Sequence, residues 1–197
     1  MITKNQAKQN TISKEITNNS DGIKTGQEVE IQNLQELQKS GYVNVRKDLE
    51  GVPMIKADAN LVTSTQRGTC LEKNGVSIQT CEHVLAALVG LEIDNVTIEL
   101  NNAEPPIMDG SSKFFVEALE SVGIKTLDVF RDVFVVKDVI SYVDEETGSD
   151  ITIIPSDKYQ VTTMVDFGTK VLGTQNATLS KLSSFKSQIS NSRTCNF

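Results

Sequence analysis

The pair Glu82–His83 joins a carboxylate to the only histidine of the chain. Metal-dependent hydrolases place a carboxylate beside a metal-bound imidazole, because the metal polarises a water molecule and the carboxylate takes a proton from it. A catalytic zinc site needs three protein ligands, however, and the pair supplies one. A single histidine near a helix start is most often a surface or capping residue. The pair alone is therefore compatible with a metal site and with an ordinary helix terminus.

The segment TCEHVLAALVG predicts a helix that ends at Gly90, with Thr80 as its cap. The helix has one apolar face at helical spacing, formed by Val84, Leu85, Leu88 and Val89. Glu82 would lie in the first turn, where a negative charge is favoured. The same position lowers the pKa of an imidazole, so it would keep His83 neutral and able to bind a metal.

Other elements are predicted around this helix. Asn74-Gly75 suits a type I′ turn, which predicts a β-hairpin directly before the helix. The segment NVTIEL alternates apolar and polar residues and predicts a strand after it. Two prolines and an Asp-Gly turn then lead to Ser111, which would cap a second helix over residues 112–122.

The pattern begins again near residue 126. VFVVKDVISYV, DITIIPS and YQVTTMVDF predict strands, and LSKLSSFKSQIS predicts an amphipathic helix. We therefore expect an α+β fold of two consecutive two-layer α/β sandwich modules, residues 1–126 with the Glu–His pair and residues 127–197, the second incomplete. About 70 residues are few for an independent domain, so we expect the second module to be a fragment.

Composition excludes several classes of function. The net charge is −7 and basic residues do not cluster, so nucleic acid is not an expected partner. No apolar run approaches the roughly 20 residues that span a bilayer, and we expect no transmembrane segment. The polar N-terminal segment MITKNQAKQN lacks the apolar core of a signal peptide, so a cytoplasmic location is expected. The three cysteines form no CxxC pair, which makes a structural zinc knuckle unlikely.

Two stretches carry a specific resemblance. TCEHVLAALVGLEIDNVTIEL, followed by EPPIMDGSSKFFVEAL, resembles the zinc-dependent UDP-3-O-acyl-N-acetylglucosamine deacetylase family, LpxC, of lipid A biosynthesis in Gram-negative bacteria. ADANLVTSTQRGTCLEKNGVSIQT, VDFGTKVLGTQNATL and NSRTCNF extend the resemblance from about Gln9 onward. Several of these segments are most similar to Bacteroidetes-type versions. In those proteins the deacetylase is commonly fused to a downstream 3-hydroxyacyl-carrier-protein dehydratase.

The resemblance implies Zn²⁺ as cofactor and a UDP-linked acylated glucosamine as substrate. Glu82 matches the family's general base, and His83 matches its first zinc ligand. Thr194 matches a threonine that helps to hold the substrate carbonyl as it becomes a tetrahedral oxyanion. Asp109 matches the Asp of the family's Met-Asp-Gly-Ser turn, where we expect chiefly a turn and helix-cap role.

The sequence also departs from the family pattern. The family's other ligands, a His and an Asp in a His-Lys-x-x-Asp helix, and its histidine general acid would lie beyond Phe197. Lys24 stands where the family has a histidine, and Cys195 replaces a Phe that lines the acyl passage. Little or no activity is expected of these 197 residues alone, because one ligand does not hold a catalytic zinc.

Three hypotheses remain from the sequence. The first is a zinc-dependent deacetylase that removes the N-acetyl group of UDP-3-O-acyl-N-acetylglucosamine, here a C-terminally truncated fragment. The second is a degenerate, non-catalytic homologue that acts as a binding or interaction module. The third is a plain α+β interaction domain. Zinc content and turnover distinguish them, measured with Glu82 and His83 intact and substituted.

Overall fold

The computed structural model describes residues 2–22, 28–35 and 38–194, with the side chains of all of them except 2–6, 28, 29, 31 and 33–35. In chain order the strands are β1 Ile2–Ile12, β2 Ile16–Asp21, β3 Glu28–Gln35, β4 Tyr42–Arg46, β5 Met54–Lys56, β6 Val62–Ser64, β7 Cys70–Lys73, β8 Val76–Ile78, β9 Val96–Leu100, β10 Ile124–Phe134, β11 Ile140–Val143, β12 Asp150–Ile153, β13 Val161–Asp166 and β14 Thr174–Leu179. The helices are α1 Glu82–Gly90, α2 Lys113–Val122 and α3 Phe185–Gln188, with 3-10 turns at Ala59–Leu61 and Leu182–Ser184. This mixture of helices and mainly antiparallel strands confirms the expected α+β class.

A five-stranded sheet with the order β2-β3-β9-β4-β5 organises the first part of the chain. Its neighbouring strands are antiparallel except β4 and β9, which are parallel. Val96, Ile98 and Leu100 of β9 are all fully buried, as the sequence pattern predicts, and Thr97 between them is buried as well. Apolar residues of α1 and α2 pack into the same core. Burial of each large aliphatic side chain contributes about 1.5–3 kcal/mol before entropic costs.

The predicted hairpin before α1 is confirmed as β7 and β8, which pair antiparallel. Asn74 and Gly75 have φ values of 53° and 79°, as a type I′ turn requires at both central positions. A short third strand, β6, pairs with β7 on its other side. The hairpin therefore carries the chain to the first turn of α1.

The prediction that Thr80 caps α1 is wrong. Cys81 occupies the N-cap position, and no side chain makes a capping hydrogen bond there. Thr80 has a left-handed φ of 53°, and its hydroxyl donates instead to the carboxylate of buried Glu104 at 3.4 Å. The Thr80 hydroxyl therefore binds a buried side chain of the core and does not cap the free amides of the helix.

Helix α1 ends at Gly90 as predicted, but packing explains the glycine. A Cβ atom on Gly90 would overlap the ring of Phe185, so the residue lets α3 approach α1 closely. The expected apolar face is partly confirmed, because Val84 and Leu88 are buried whereas Val89 is 39 % exposed.

Helix α2 follows the predicted Asp-Gly turn. The prediction that Ser111 caps this helix is wrong by one residue, because Ser112 occupies the N-cap position and its side chain makes no capping hydrogen bond among the described residues. The Ser111 hydroxyl lies just before it and accepts the Lys113 N–H at 3.2 Å. Phe115, Val116 and Leu119 of α2 are buried. In the described ranges, no helix has the length and apolar character needed to cross a membrane.

Strand β10 contains the expected module boundary between residues 126 and 127. It pairs antiparallel with β1, from Ile2 opposite Phe134 to Ile12 opposite Ile124, with two irregularities in register. The division into residues 1–126 and 127–197 therefore falls inside a strand that is bound to the beginning of the chain. The division itself stays a prediction.

The strands in the last third of the chain form two separate antiparallel pairs, β11 with β12 and β13 with β14, and β14 was not predicted from the sequence. Every residue of β11, β12 and β13 is exposed. The expected second sandwich layer stays a prediction. The predicted final helix is shorter than expected, with a 3-10 turn and the single turn α3. The serine hydroxyls of Ser187 and Ser190 donate to backbone carbonyls nearby, which favours turns over a longer helix.

Candidate active site

Glu82 is the first residue of α1, and the chain before β7 holds its side chain. Its Oε2 atom accepts the backbone N–H of Thr69 at 2.9 Å. A carboxylate that accepts a backbone N–H has a fixed orientation, because rotation would leave the amide without its partner. The hairpin β7–β8 brings these two residues together, since it reverses the chain between them.

Gly68 lies against the Glu82 side chain, a contact that the sequence-based assignments did not include. A Cβ atom at this position would lie 3.2 Å from Glu82 Oε1 and 3.2 Å from Thr80 Oγ1. The residue also has φ of 140°, where side chains are rarely tolerated. Glycine therefore allows the backbone to pass directly beside the carboxylate. The glycine of TQRGT is the only local signal of this contact.

His83 follows in the same helical turn and is half-buried. Its Nε2 atom is buried and has no hydrogen-bond partner among the residues that the structure describes. An unpartnered imidazole nitrogen is available to a metal, so His83 fits one ligand position. The described residues contain no group of three His, Cys, Asp or Glu side chains that could hold a metal ion. One ligand position is thus present, and no catalytic step through a metal follows from the described residues alone.

Cys81 lies between Thr80 and the Glu82–His83 pair. It is fully buried, and its thiol donates to the Thr69 carbonyl at 3.6 Å. Burial, with a smaller contribution from the charge of Glu82, raises the pKa of Cys81 to about 12. Cys81 acts here as a core residue.

Thr194 lies beside the turn that precedes α2. Its backbone N–H donates to the Gly110 carbonyl at 2.7 Å, and a Cβ on Gly110 would lie 3.3 Å from Thr194 Cγ2. Arg193 adds an ion pair with Asp109 at 3.3 Å. These contacts place Thr194 on the turn, and it makes no hydrogen bond to Glu82 or His83 among the described residues. Glu82 and His83 are brought together, whereas Thr194 is held on a neighbouring segment.

Asp109 has the expected structural role in that turn. Its Oδ1 atom accepts the N–H of Ser111 at 3.1 Å and the Ser111 hydroxyl at 2.6 Å. Slight burial raises the pKa of Asp109, but the hydrogen bonds from Ser111 and the charge of Arg193 outweigh it and lower the pKa below its ordinary value. The turn carboxylate is therefore ionised at neutral pH and orients the start of α2.

A cavity of about 690 Å³ opens beside Glu82. Glu82 and Thr69 form a polar part of its wall, and α1 contributes Leu85 and Val89. The opposite wall is mainly apolar and comes from β13, β14 and the segment that contains α3. A mainly apolar cavity with a few convergent polar groups is the usual form of a ligand site.

A family model described as LpxC, UDP-3-O-acyl N-acetylglycosamine deacetylase, matches residues 9–197. The chain belongs to the LpxC family. This confirms the resemblance carried by the motifs around Glu82, His83 and Asp109.

Relatives of the chain are named either bifunctional enzyme LpxC/FabZ or UDP-3-O-acyl-N-acetylglucosamine deacetylase. It is 37 % identical over 187 residues to a bifunctional enzyme LpxC/FabZ of Bacteroides thetaiotaomicron and 38 % identical over 187 residues to one of Porphyromonas gingivalis. It is 35 % identical over 193 residues to a UDP-3-O-acyl-N-acetylglucosamine deacetylase of Chromohalobacter salexigens. These matches cover 95 %, 95 % and 96 % of this chain but 41 %, 40 % and 63 % of the respective relatives.

Two departures from the LpxC pattern fall outside the described residues. Lys24 and Cys195, which replace a histidine and a Phe of that pattern, are both in segments that the structure does not describe. The described LpxC motif residues are Glu82, His83, Asp109 and Thr194.

Proposed function

We propose that this chain carries the general base and one zinc ligand of a deacetylase that removes the N-acetyl group of UDP-3-O-acyl-N-acetylglucosamine. The observation that carries the proposal is the first turn of α1. There the Glu82 carboxylate is held by Thr69 N–H, and His83 offers a buried, unpartnered Nε2 atom. Membership of the LpxC family supports this assignment over an ordinary helix terminus.

Glu82 would act as the general base. Its Oε2 atom is engaged with Thr69 N–H, which leaves Oε1 to accept a proton from the attacking water. A positioned base of this kind contributes about 10²–10⁴-fold to the rate. Gly68 keeps Oε1 accessible, because any side chain at this position would press against that oxygen.

His83 would be one ligand of the metal. A bound Zn²⁺ would supply the Lewis acidity that polarises the scissile amide. The other ligands are proposed to lie outside the 197 residues, on the His-Lys-x-x-Asp helix that the resemblance implies. We therefore propose that the isolated chain has little or no turnover.

Thr194 would stabilise the oxyanion that forms on the acetyl carbonyl. Removal of one such donor typically costs about 3–4 kcal/mol of transition-state stabilisation. The contacts of Thr194 with Gly110 and of Arg193 with Asp109 support this role, because they fix the backbone from which the hydroxyl projects.

The reaction would belong to lipid A biosynthesis and would take place in the cytoplasm. The relatives named LpxC/FabZ support a second catalytic module fused downstream. We propose a 3-hydroxyacyl-carrier-protein dehydratase for that module, as the resemblance implies.

The test compares the 197-residue chain with the same chain extended by the C-terminal part of the Bacteroides thetaiotaomicron relative. The extended protein is expected to bind about one zinc ion and to release acetate from the UDP-linked substrate. Glu82→Gln is expected to retain zinc and to lower kcat by at least about 10²-fold. His83→Ala is expected to lose the zinc.

Glu117→Gln is the matched control, because Glu117 lies half-exposed on α2 and pairs only loosely with Lys113 at 4.0 Å. Its turnover should equal that of the unsubstituted extended protein. If Glu82→Gln keeps full turnover, the assigned base is wrong. An extended protein that folds but neither binds zinc nor turns over substrate would favour the non-catalytic homologue.

A further inference from the structure

Glu104 is a buried carboxylate that the proposed reaction does not use. Its side chain is only 1 % exposed, in the segment between β9 and α2. Burial of a carboxylate is costly unless polar groups contact it, so a structure that retains one gains something from its contacts. One contact comes from the Thr80 hydroxyl, which donates to Glu104 Oε2 at 3.4 Å.

Thr80 has an unusual backbone. It is 4 % exposed and has φ of 53°, in the left-handed region that a β-branched residue rarely adopts. Such a conformation costs about 1–3 kcal/mol and persists only when surrounding contacts impose it. Two contacts impose the conformation here, and both are with the segment between β9 and α2. One is the hydrogen bond from Thr80 to Glu104, and the other runs from Gln79 N–H to the Ala103 carbonyl at 2.8 Å.

The Thr80 conformation sets the direction of the residues that follow. Cys81 and Glu82 come directly after it, and the Glu82 carboxylate reaches back to Thr69 N–H. Thr80 Oγ1 and Glu82 Oε1 lie at the same distance, 3.2 Å, from the position that a Cβ of Gly68 would take. The Thr80 side chain therefore borders the space that holds the carboxylate.

We propose that Glu104 is a positioning residue for Glu82, acting through the Thr80 hydroxyl to hold the left-handed turn that aims the carboxylate at Thr69 N–H. The catalytic consequence of this proposal rests on the assignment of Glu82 as general base, whereas the placement of the Glu82 carboxylate does not. The placement of the carboxylate is a structural claim that is measured separately.

Hydrogen exchange and the chemical shift of the Thr69 amide measure the placement in the 197-residue chain. Thr80→Val keeps the side-chain shape but removes the donor, and it is expected to lower protection of the Thr69 amide about fivefold, the size of one net hydrogen bond. Thr80→Ser keeps the hydroxyl and should retain the protection. Glu82→Ala provides the reference for an amide without its acceptor.

Glu104→Leu should lower the protection of the Thr69 amide as Thr80→Val does. Glu104→Gln should retain the protection, because its amide oxygen still accepts a hydrogen bond from Thr80. Protection in the β7–β8 ladder distinguishes positioning from general destabilisation. Selective loss at Thr69 supports the proposal, whereas equal loss throughout the ladder overturns it. Should Glu104→Leu not fold, the comparison of Thr80→Val with Thr80→Ser decides the question alone.

Turnover of the extended protein gives an independent readout. Thr80→Val is expected to lower kcat about tenfold with KM unchanged, because a displaced base acts only in the chemical step. If Glu82→Gln leaves turnover intact, the proposed function fails while the Thr69 amide still tests the positioning. An unchanged Thr69 amide in Thr80→Val overturns the positioning, whatever the turnover.

Discussion

Gly68 and the Glu82 carboxylate are in such close contact that a single methyl group would disturb both. Gly68→Ala would place a Cβ 3.2 Å from Glu82 Oε1 while forcing alanine to adopt φ of 140°. We expect this substitution to lower the free energy of unfolding by about 1–3 kcal/mol, measured by urea denaturation.

Gly75→Ala is the matched control for Gly68→Ala. Gly75 also has positive φ, 79°, but no atom lies within 4 Å of the position that its Cβ would take. The control therefore reports backbone strain without contact. Equal losses of turnover for the two variants in the extended protein would contradict a specific role for Gly68 beside the base.

The Cys81 thiol makes the free energy of unfolding depend on pH in the alkaline range. The pKa of its thiol is raised by burial from 9.0 to about 12, so the unfolded chain releases this proton at lower pH than the folded protein does. The thiol's contribution to stability is present below pH 9 and is lost as pH rises toward 12. Between pH 8 and pH 10 the unsubstituted chain should lose about 1 kcal/mol more stability than Cys81→Ala, measured by urea denaturation at each pH.

The comparison with Cys81→Ala is needed because the pKa of Tyr42 is raised too, chiefly by burial and also by the charge of Asp94. That tyrosine lowers stability at high pH in both proteins, so its effect cancels in the difference. Parallel pH profiles for the two proteins would show that Cys81 ionises normally.

The Glu82–His83 pair could be singled out from the sequence, whereas the contacts that support Glu82 could not be predicted. Glu82 and His83 are adjacent and lie within a family motif, so local sequence was sufficient. Thr69 and Gly68 reach Glu82 across a hairpin, and Glu104 reaches Thr80 from beyond β9. Contacts between separate segments leave no periodic signal along the chain, because they depend on how the segments pack.

At the scale of elements, the packing of α3 on α1 depends on the absence of a side chain at Gly90. Gly90→Ala would insert a methyl group into the ring of Phe185. We expect a loss of about 1–3 kcal/mol of unfolding free energy, because overpacking forces neighbouring side chains from their preferred rotamers. Urea denaturation measures the loss.

The background Phe185→Ala removes the ring that the new methyl group would meet. In that background Gly90→Ala should be neutral or stabilising by up to about 1 kcal/mol, because alanine favours a helix more than glycine does. If Gly90→Ala costs the same in both backgrounds, the ring contact is not the cause.

Element types could be predicted better than element ends. The hairpin turn, β9 and α2 followed from strong local patterns, namely Asn74-Gly75, apolar residues at every second position and the Asp-Gly turn before α2, whereas the N-cap of α2 is Ser112 and not Ser111. Thr80 was assigned as a cap from residue type alone, but the hydroxyl binds Glu104 because the buried carboxylate competes for it. The final helix was assigned from its apolar spacing, while the serines between the apolar residues shorten it.

At the scale of the whole molecule, Arg131 joins β10 to the loop after α1. Its Nη1 lies 3.0 Å from Glu92 Oε1, and its Nη2 donates to Asp94 Oδ2 at 2.8 Å. The Asp94 carboxylate also accepts the N–H of Asn10 in β1 at 2.7 Å. Because the Arg131 side chain is only 18 % exposed, these interactions are partly shielded from water.

Arg131→Met should lower the free energy of unfolding by about 1.5–3 kcal/mol, the range for hydrogen bonds to charged groups. Lys8→Met is the control on the same strand pair, because Lys8 and its partner Asp128 are 44 % and 90 % exposed. Its cost should stay below about 1 kcal/mol and should shrink with added salt. If urea denaturation shows equal losses of unfolding free energy for the two variants, the interactions of Arg131 contribute no more than a surface ion pair does.

The α+β class could be predicted from the alternation of strand and helix patterns, but the long-range pairing could not. The pattern restarts near residue 126, which suggested a boundary there. Strand β10 runs through this position and pairs with β1, a pairing that the restart of the pattern did not reveal. Register between distant strands depends on which apolar faces must be covered together, and a single segment does not contain that information.

The parallel pairing of β4 with β9 places the site inside a long crossover. Gly68, Thr69, Glu82 and His83 all belong to the connection between these two strands. Non-local strand pairs form slowly because the chain loses loop-closure entropy before the contacts can stabilise it. Helix α1 can form early from local interactions, but the amide of Thr69 meets the Glu82 carboxylate only when the connection has folded as a whole. The order of folding thus separates the formation of α1 from the formation of the Thr69–Glu82 hydrogen bond, and a refolding chain would regain its helix before this contact.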